Sequence, residues 1–337
     1  MENVIIKFKE MEIGRIYETY AMLESINQKV AKNGNCYVEI MICDGESCIT
    51  ARQFNTEASD LVAIGVAEPC VIRICLDVGT YSGKRNYNVT NIVLADDRGF
   101  QLEDFIIKAP IDQEKTFNQL IRNIKDSHVK SYEDITFDSL AHLTIEILNE
   151  NKAEFIRAAA AKIIHHNLIG GLLYHSATMV EQAIKALETY PALDREILIC
   201  GAALHDIGKL KEMYTSATGK AHYTRDGRLL GHSAIGIMIL EDGANRLGNF
   251  NPERVKLIQH MIAAHHGQLE YGAITAPAIP EASVLHALDM IDSRAYVFGN
   301  AYKDIEEGSI SDNIFALKGT SVYKPYSLVP RDKSTSA

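Results

Sequence analysis

A chain of 337 residues is long enough for two domains, and 47% hydrophobic with 23% charged residues is the balance of an ordinary globular protein. No apolar run approaches the roughly 20 residues that span a bilayer, so a membrane partner is not expected. A formal net charge of −10 argues against a protein that coats nucleic acid indiscriminately, although a local basic groove or a metal-built site remains compatible with it.

Met1-Glu2-Asn3 does not open a signal peptide. The six cysteines, Cys36, Cys43, Cys48, Cys70, Cys75 and Cys200, contain no CxxC pair. They sit in apolar contexts and are expected to be reduced, buried thiols of a cytoplasmic protein. All 12 histidines lie at or beyond His128. Two parts of the chain therefore do different chemistry.

Residues 1–108 alternate as strands do. Runs at Arg15–Leu23, Tyr37–Ile42, Cys48–Phe54, Cys70–Leu76 and Tyr87–Leu94 are separated by turn signals such as Asp44-Gly45-Glu46-Ser47 and Ser82-Gly83. A short helical piece falls between the third and fourth strands, the element order of an OB-fold barrel. Such barrels hold single strands by stacking bases on aromatic rings beside cations. Tyr37, Phe54, Tyr81 and Tyr87 interleaved with Arg52, Lys84 and Arg85 are the candidates, with Lys29 and Lys32 nearby. The alternative is that the rings fill the barrel interior. Arg52 and Lys84 are the stronger candidates, because a small barrel has no room to bury them.

Residues 109–160 form a helical bridge. Thr116–Lys125 and Phe137–Asn149 carry helical apolar spacing, and Asp134 or Thr136 is a suitable N-cap for the second. Residues 161–305 form the histidine-rich helical domain, and residues 306–337 a C-terminal segment whose polar end, Ser327–Ala337, is expected to be disordered.

The centre of the helical domain is Ala203-Leu204-His205-Asp206-Ile207-Gly208-Lys209. Ile197 to Leu204 read as a buried helix, and an imidazole beside a carboxylate at its end is costly without partners, roughly 2–7 kcal/mol for a neutral polar group. A divalent metal removes that cost, since neutral His nitrogen and ionised Asp oxygen are its ligands. A buried His–Asp hydrogen bond is the alternative for this pair taken alone. Gly208 is expected to allow a turn, and Lys209 to place a cation where an anionic substrate approaches.

Four further segments weigh toward the metal: one with His165, His166, Gly170, Gly171 and His175, then Gly231-His232-Ser233, then a helix end with His260, His265 and His266. The last is an amphipathic helix from Val284 to Phe298 carrying His286, Asp289 and Asp292 on one row.

In this order, GGLLYHS, ALHDIGK, LGHS, AAHHG and ALDMIDSRA resemble the motifs of the HD-domain metal-dependent phosphohydrolases. With the barrel in front, the chain resembles one branch of them, the YhaM-type 3′-to-5′ exoribonucleases. The likeness covers most of the chain, including Glu270-Tyr271-Gly272 after the HHG motif and a late segment from Phe315 to Tyr323-Lys324-Pro325. Its first motif often carries an acidic residue where this chain has Tyr174.

The resemblance implies a multidomain α+β architecture: an OB-like β-barrel followed by an all-α HD-domain helical bundle. It implies one metal held by His175, His205, Asp206 and Asp289. A second would be held by Asp206, His232 and one or both of His265 and His266, since neighbours on a regular helix point about 100° apart. Two such ions suit phosphodiester hydrolysis because they activate water near neutral pH and stabilise charge on the phosphate. Asp206 and Lys209 would be the catalytic residues, and His165 and His166 would contact phosphate or simply pack. Manganese is the first choice of ion and magnesium the next, with iron, cobalt or nickel also suited to a His-rich shell.

The implied function is a metal-dependent 3′-to-5′ exoribonuclease of single-stranded RNA, with single-stranded DNA and self-association left open. Two alternatives stand beside it: hydrolysis of nucleotides or cyclic dinucleotides, and a non-catalytic single-strand-binding protein.

Overall fold

The computed structural model describes residues 5–31, 33–82, 84–95, 99–128, 137–160, 168–216 and 218–326. Contacts divide the chain into two compact units. The first is Met1–Pro110 with Thr215–Lys220; the second is Ile111–Tyr214 with Ala221–Ala337.

The first unit is a closed five-stranded barrel of β1 (Arg15–Val30), β2 (Cys36–Cys43), β3 (Cys48–Phe54), β4 (Cys70–Tyr81) and β5 (Lys84–Leu94). The strand order around it is β1-β2-β3-β5-β4. The strand pairs are antiparallel except β3–β5, which run parallel with Arg52 opposite Asn88. This is the OB-fold order, with the helix α1 (Ala58–Ala63) between β3 and β4 as anticipated.

Alternation builds the interior. On β2, Val38, Ile40 and Ile42 are buried, and on β4, Ile72, Ile74, Leu76 and Val78 are, with the intervening residues only half-covered. β1, at 16 residues, is twice as long as β2 at 8, and its register shifts between Leu23 and Ser25, where its pairing passes from β4 to β2. The β2–β3 hairpin is fixed by buried Asp44, whose carboxylate accepts from the backbone N–H of Phe8 at 2.7 Å, Glu46 at 2.8 Å and Ser47 at 2.7 Å.

The cysteine expectation is corrected here. Cys43 and Cys48 face one another across that hairpin and form a disulfide, while Cys36, Cys70, Cys75 and Cys200 are free. A pairing set by strand register carries no short-range motif, so a search for CxxC passes over it. Cys200 is fully buried, and burial pushes its thiol up to about 12.

The second unit is helical: α2 (Gln113–Lys125), α3 (Leu140–Glu150), α4 (Lys152–Phe155), α5 (Gly171–Thr189), α6 (Arg195–Leu204), α7 (Lys209–Glu212), α8 (Arg225–Leu247), α9 (Pro252–Ala264) and α10 (Pro280–Asp304). A short two-stranded sheet, β6 (Met213–Thr215) with β7 (Ala221–Tyr223), lies between α7 and α8. The residues of α6 from Glu196 to Leu204 are all buried, as expected of a central helix. The anticipated bridge is part of this core: Phe117, Leu120 and Ile124 of α2, Leu143 and Ile147 of α3 and Phe155 of α4 pack with Leu173, Leu198 and Ile262.

The cap of α3 differs from the sequence expectation. Ser139 is the N-cap and accepts from the His142 N–H at 3.1 Å; Asp134 and Thr136 lie outside the described residues, as do His165, His166, Lys32, Gly83 and Ser327–Ala337. Among the described residues no helix is long and apolar enough to cross a membrane.

Candidate metal centre

Five helical elements deliver seven side chains to one place. His175 lies in the first turns of α5. His205 is the C-cap of α6, with Asp206 next to it. The pair is held where α6 stops because Gly208 packs against α8: a Cβ there would meet the His232 carbonyl oxygen at 1.9 Å and the Gly236 nitrogen at 2.6 Å. Gly208 has helical dihedrals (φ −63°, ψ −19°), so close approach, and not the expected turn, is what requires glycine.

His232 is set by a different glycine. Gly231 has φ 72° and ψ 159°, a break inside α8 that makes His232 the first residue of the helix beyond it. The His232 N–H freed by that break donates to Glu212 Oε1 at 3.1 Å, and His232 Nδ1 reaches the same oxygen at 3.1 Å. His265 and His266 follow the last residue of α9, and their ring centroids lie 4.0 Å apart although His265 keeps helical dihedrals (φ −59°, ψ −27°). Asp289 comes from α10.

The buried Asp206 carboxylate stands between two groups. Its Oδ2 lies 3.6 Å from His175 Nε2 and 3.4 Å from His205 Nε2, and Asp289 Oδ1 is 3.4 Å from His175 Nε2. Its Oδ1 faces the other way, 3.5 Å from His232 Nε2 and 3.8 Å from His265 Nε2. His266 Nε2 closes that second group, 3.1 Å from His232 Nε2.

The rings are oriented by oxygens behind them. His175 Nδ1 faces Asp292 Oδ2 at 2.7 Å, His205 Nδ1 the Ala202 carbonyl at 2.9 Å, and His265 Nδ1 the Ile262 carbonyl at 2.7 Å. With Glu212 behind His232, four rings are directed to keep a proton on Nδ1 and a lone pair on Nε2. Those lone pairs meet at short range: His175 and His205 Nε2 are 3.1 Å apart, His232 and His265 Nε2 3.3 Å.

Lone pairs and carboxylate oxygens facing one another repel unless a cation lies among them. Asp206 Oδ1 is buried and has no hydrogen-bond partner among the described residues. The donor set, neutral imidazole with carboxylate, fits a divalent metal.

The electrostatics agree. Burial alone would raise the Asp206 carboxyl, but Lys209, with Nζ 2.6 Å from Oδ2, and the His205 ring hold it well below the usual carboxylate range. Burial, then the neighbouring rings His266 and His205, pushes His265 well below the ordinary imidazole range. Burial and His232 lower His266 to about 4, so its ring is neutral at neutral pH. His205 goes the other way: burial opposes its charge, but the Asp206 and Asp289 carboxylates outweigh that and raise it.

The sequence assigns no role to Asp292 or Glu212. Asp292 left a trace, one turn beyond Asp289 on the same row; Glu212 left none, since its partner lies 20 residues away across a glycine break.

The barrel candidates are less uniform. Phe54 is 52% exposed and pairs with half-buried Tyr37 at 5.5 Å between ring centroids; Tyr81 is 72% exposed, and Arg85 is exposed on β5. Arg52 is tied down, with Nε donating to Glu39 at 3.0 Å and a terminal nitrogen to Asn86 at 3.2 Å. Tyr87 is only 8% exposed and packs in the barrel core against Phe8. The Lys84 side chain lies outside the described residues.

Residues 172–294 match the HD domain family. Over 318 residues the chain is 30% identical to the 3′-5′ exoribonuclease YhaM of Bacillus subtilis, covering 93% of this chain and 96% of that protein. It has the same identity and coverage to the protein of that name in Bacillus velezensis. The second OB-fold domain of replication protein A from Methanococcus maripaludis aligns with 29% of this chain and all of its own at 14% identity, with a TM-score of 0.23, a likeness too low to add to the strand order. With a shared HD region, a barrel ahead of it and similarity along nearly the whole length, the chain belongs to the YhaM family of HD-domain enzymes.

Proposed function

We propose that this protein is a divalent-metal-dependent 3′-to-5′ exoribonuclease that degrades single-stranded RNA in the cytoplasm. The observation that carries the reading is the Asp206 carboxylate, whose two oxygens face two separate histidine groups. Such a carboxylate suits two ions, one at His175, His205, Asp206 and Asp289, the other at Asp206, His232, His265 and His266. Bound there, divalent ions would supply an activated water and charge stabilisation on the attacked phosphate. Manganese is the preferred ion, and five imidazoles favour it, iron, cobalt or nickel over magnesium.

The chain's own residues do the rest. Asp292, Glu212 and the Ala202 and Ile262 carbonyls keep the rings aimed inward, so little reorganises when substrate arrives. Lys209, whose Nζ donates to Asp206 Oδ2 at 2.6 Å, would supply charge to the phosphate if a cation shared that carboxylate. On the barrel, Phe54, Tyr37 and Tyr81 offer stacking faces and Arg85 a cation, with Lys84 a further candidate. Arg52 is better read as a brace for Glu39 and Asn86.

Polarity comes from the family, and an enclosed metal centre favours a chain end over an internal linkage. The purified protein with Mn²⁺ should therefore shorten 5′-labelled single-stranded RNA stepwise, slow at a stable 3′ duplex and leave circular RNA intact. Cleavage of circular RNA as fast as the linear form would make it an endonuclease and defeat the proposal. Parallel incubation with single-stranded DNA decides the breadth of substrate.

A further inference from the structure

A cavity of about 150 Å³ opens beside the metal centre, and two of its walls, His266 and Asp289, belong to that centre. The remaining walls include Tyr271, Met290, Arg294 and Lys318. Lys318 lies beyond the region that matches the HD domain family, which ends at residue 294.

The chain places Lys318 there deliberately. Residues 306–326 are pinned to the end of α10 by Lys324, whose Nζ donates to the Tyr302 carbonyl at 2.6 Å and the Ile305 carbonyl at 2.8 Å. Buried Val322 anchors the same stretch. A tight loop follows from an Ile314–Thr320 bridge, with the Gly319 N–H donating to the Ile314 carbonyl at 3.0 Å. Lys318 at its tip has φ +55°, a left-handed conformation that costs a lysine energy and persists only where the surroundings impose it.

The result is a cation aimed at the cavity wall. Lys318 Nζ sits 4.3 Å from the Tyr271 ring centroid and donates to the Tyr271 hydroxyl at 3.2 Å. Arg294, exposed on α10 five residues beyond Asp289, has no hydrogen-bond or ion-pair partner among the described residues. Lysine already covers one face of Tyr271, so a base does not stack there. Two cations and a hydroxyl beside a phosphodiester-cleaving centre describe an anion site.

We propose that Arg294 and Lys318, with the Tyr271 hydroxyl, hold the phosphate next to the scissile one in single-stranded RNA, an inference that rests on the exoribonuclease reading above. The terminal nucleotide of RNA with a 3′ hydroxyl carries no phosphate beyond the scissile one. The neighbouring phosphate is therefore the one on the 5′ side, at the penultimate linkage. A substrate with a single phosphodiester lacks it, so this site would select polymers.

The test removes the charge from the substrate as well as from the protein. RNA carrying a neutral methylphosphonate at the penultimate linkage should be turned over by the wild type with kcat/KM lowered on the order of tenfold or more, the worth of a charged hydrogen bond. In the Arg294→Ala, Lys318→Ala double variant, unmodified RNA should show that loss and the methylphosphonate should add nothing to it. An unimpaired wild type on the modified strand would overturn the site, as would equal methylphosphonate losses in wild type and variant.

Bis(p-nitrophenyl) phosphate supplies the remaining contrast, having one phosphodiester. The ratio of RNA to bis(p-nitrophenyl) phosphate turnover should fall in the variant. Equal losses on both would assign the two cations to the metal-holding residues and reject the proposal. A wild type that hydrolyses the small ester but leaves RNA untouched would instead refute the exoribonuclease reading, and the phosphate site with it.

Discussion

The Asp292 carboxylate lies 2.7 Å from His175 Nδ1, on the side of the ring opposite the metal centre. The contact fixes which nitrogen of His175 carries the proton and leaves Nε2 facing His205, Asp206 and Asp289. Asp292→Asn keeps the shape and removes the charge. Metal affinity should fall roughly 10–100-fold, with the fold retained, as measured by calorimetric titration of Mn²⁺ into metal-free protein. Unchanged affinity would make Asp292 a packing residue.

Asp206→Ala removes the carboxylate common to both histidine groups. Metal content and phosphodiesterase activity should be lost together. RNA affinity, which we assign to the barrel, should be largely kept in a filter-binding assay. Lys209 loses its carboxylate partner in this variant, so thermal unfolding should also shift down by about 1–3 kcal/mol in the metal-free state.

Gly208→Ala tests the helix contact that positions the HD pair. The added methyl would sit 1.9 Å from the His232 backbone oxygen, which cannot move without displacing α8 and His232 with it. Stability should drop by about 1–3 kcal/mol, the usual range for forced overpacking, and metal binding should weaken in step. Gly231→Ala is a different experiment, because nothing lies within 4 Å of a Cβ there and only the left-handed backbone is strained.

On the barrel, exposure separates binding from folding. Phe54→Ala and Tyr81→Ala should each weaken RNA binding by about 1–3 kcal/mol without lowering the melting temperature. Tyr87→Ala should do the reverse and destabilise the barrel by about 3 kcal/mol, because it deletes a core ring packed on Phe8. Equal RNA affinity in all three variants would move the binding surface elsewhere.

The sequence by itself determined the alternating strands, the element order that makes the barrel and the central buried helix, while its resemblance to the HD-domain enzymes singled out the seven residues that the structure brings close together. Period-two alternation and the spacing of HD, LGHS and HHG are local properties, and they survive folding unchanged. Which parity of an alternating strand points inward is decided only when the barrel closes, and so Tyr87 is core while Phe54 is surface. Glu212 meets His232 because Gly231 breaks a helix, Cys43 meets Cys48 through strand register, and Arg52 is held by residues 13 and 34 positions away. Lys318 reaches Tyr271 from 47 residues along the chain. Contacts of this kind depend on the packing of separate elements, which no local pattern encodes, and here they decide how the centre is oriented and what lies beside it.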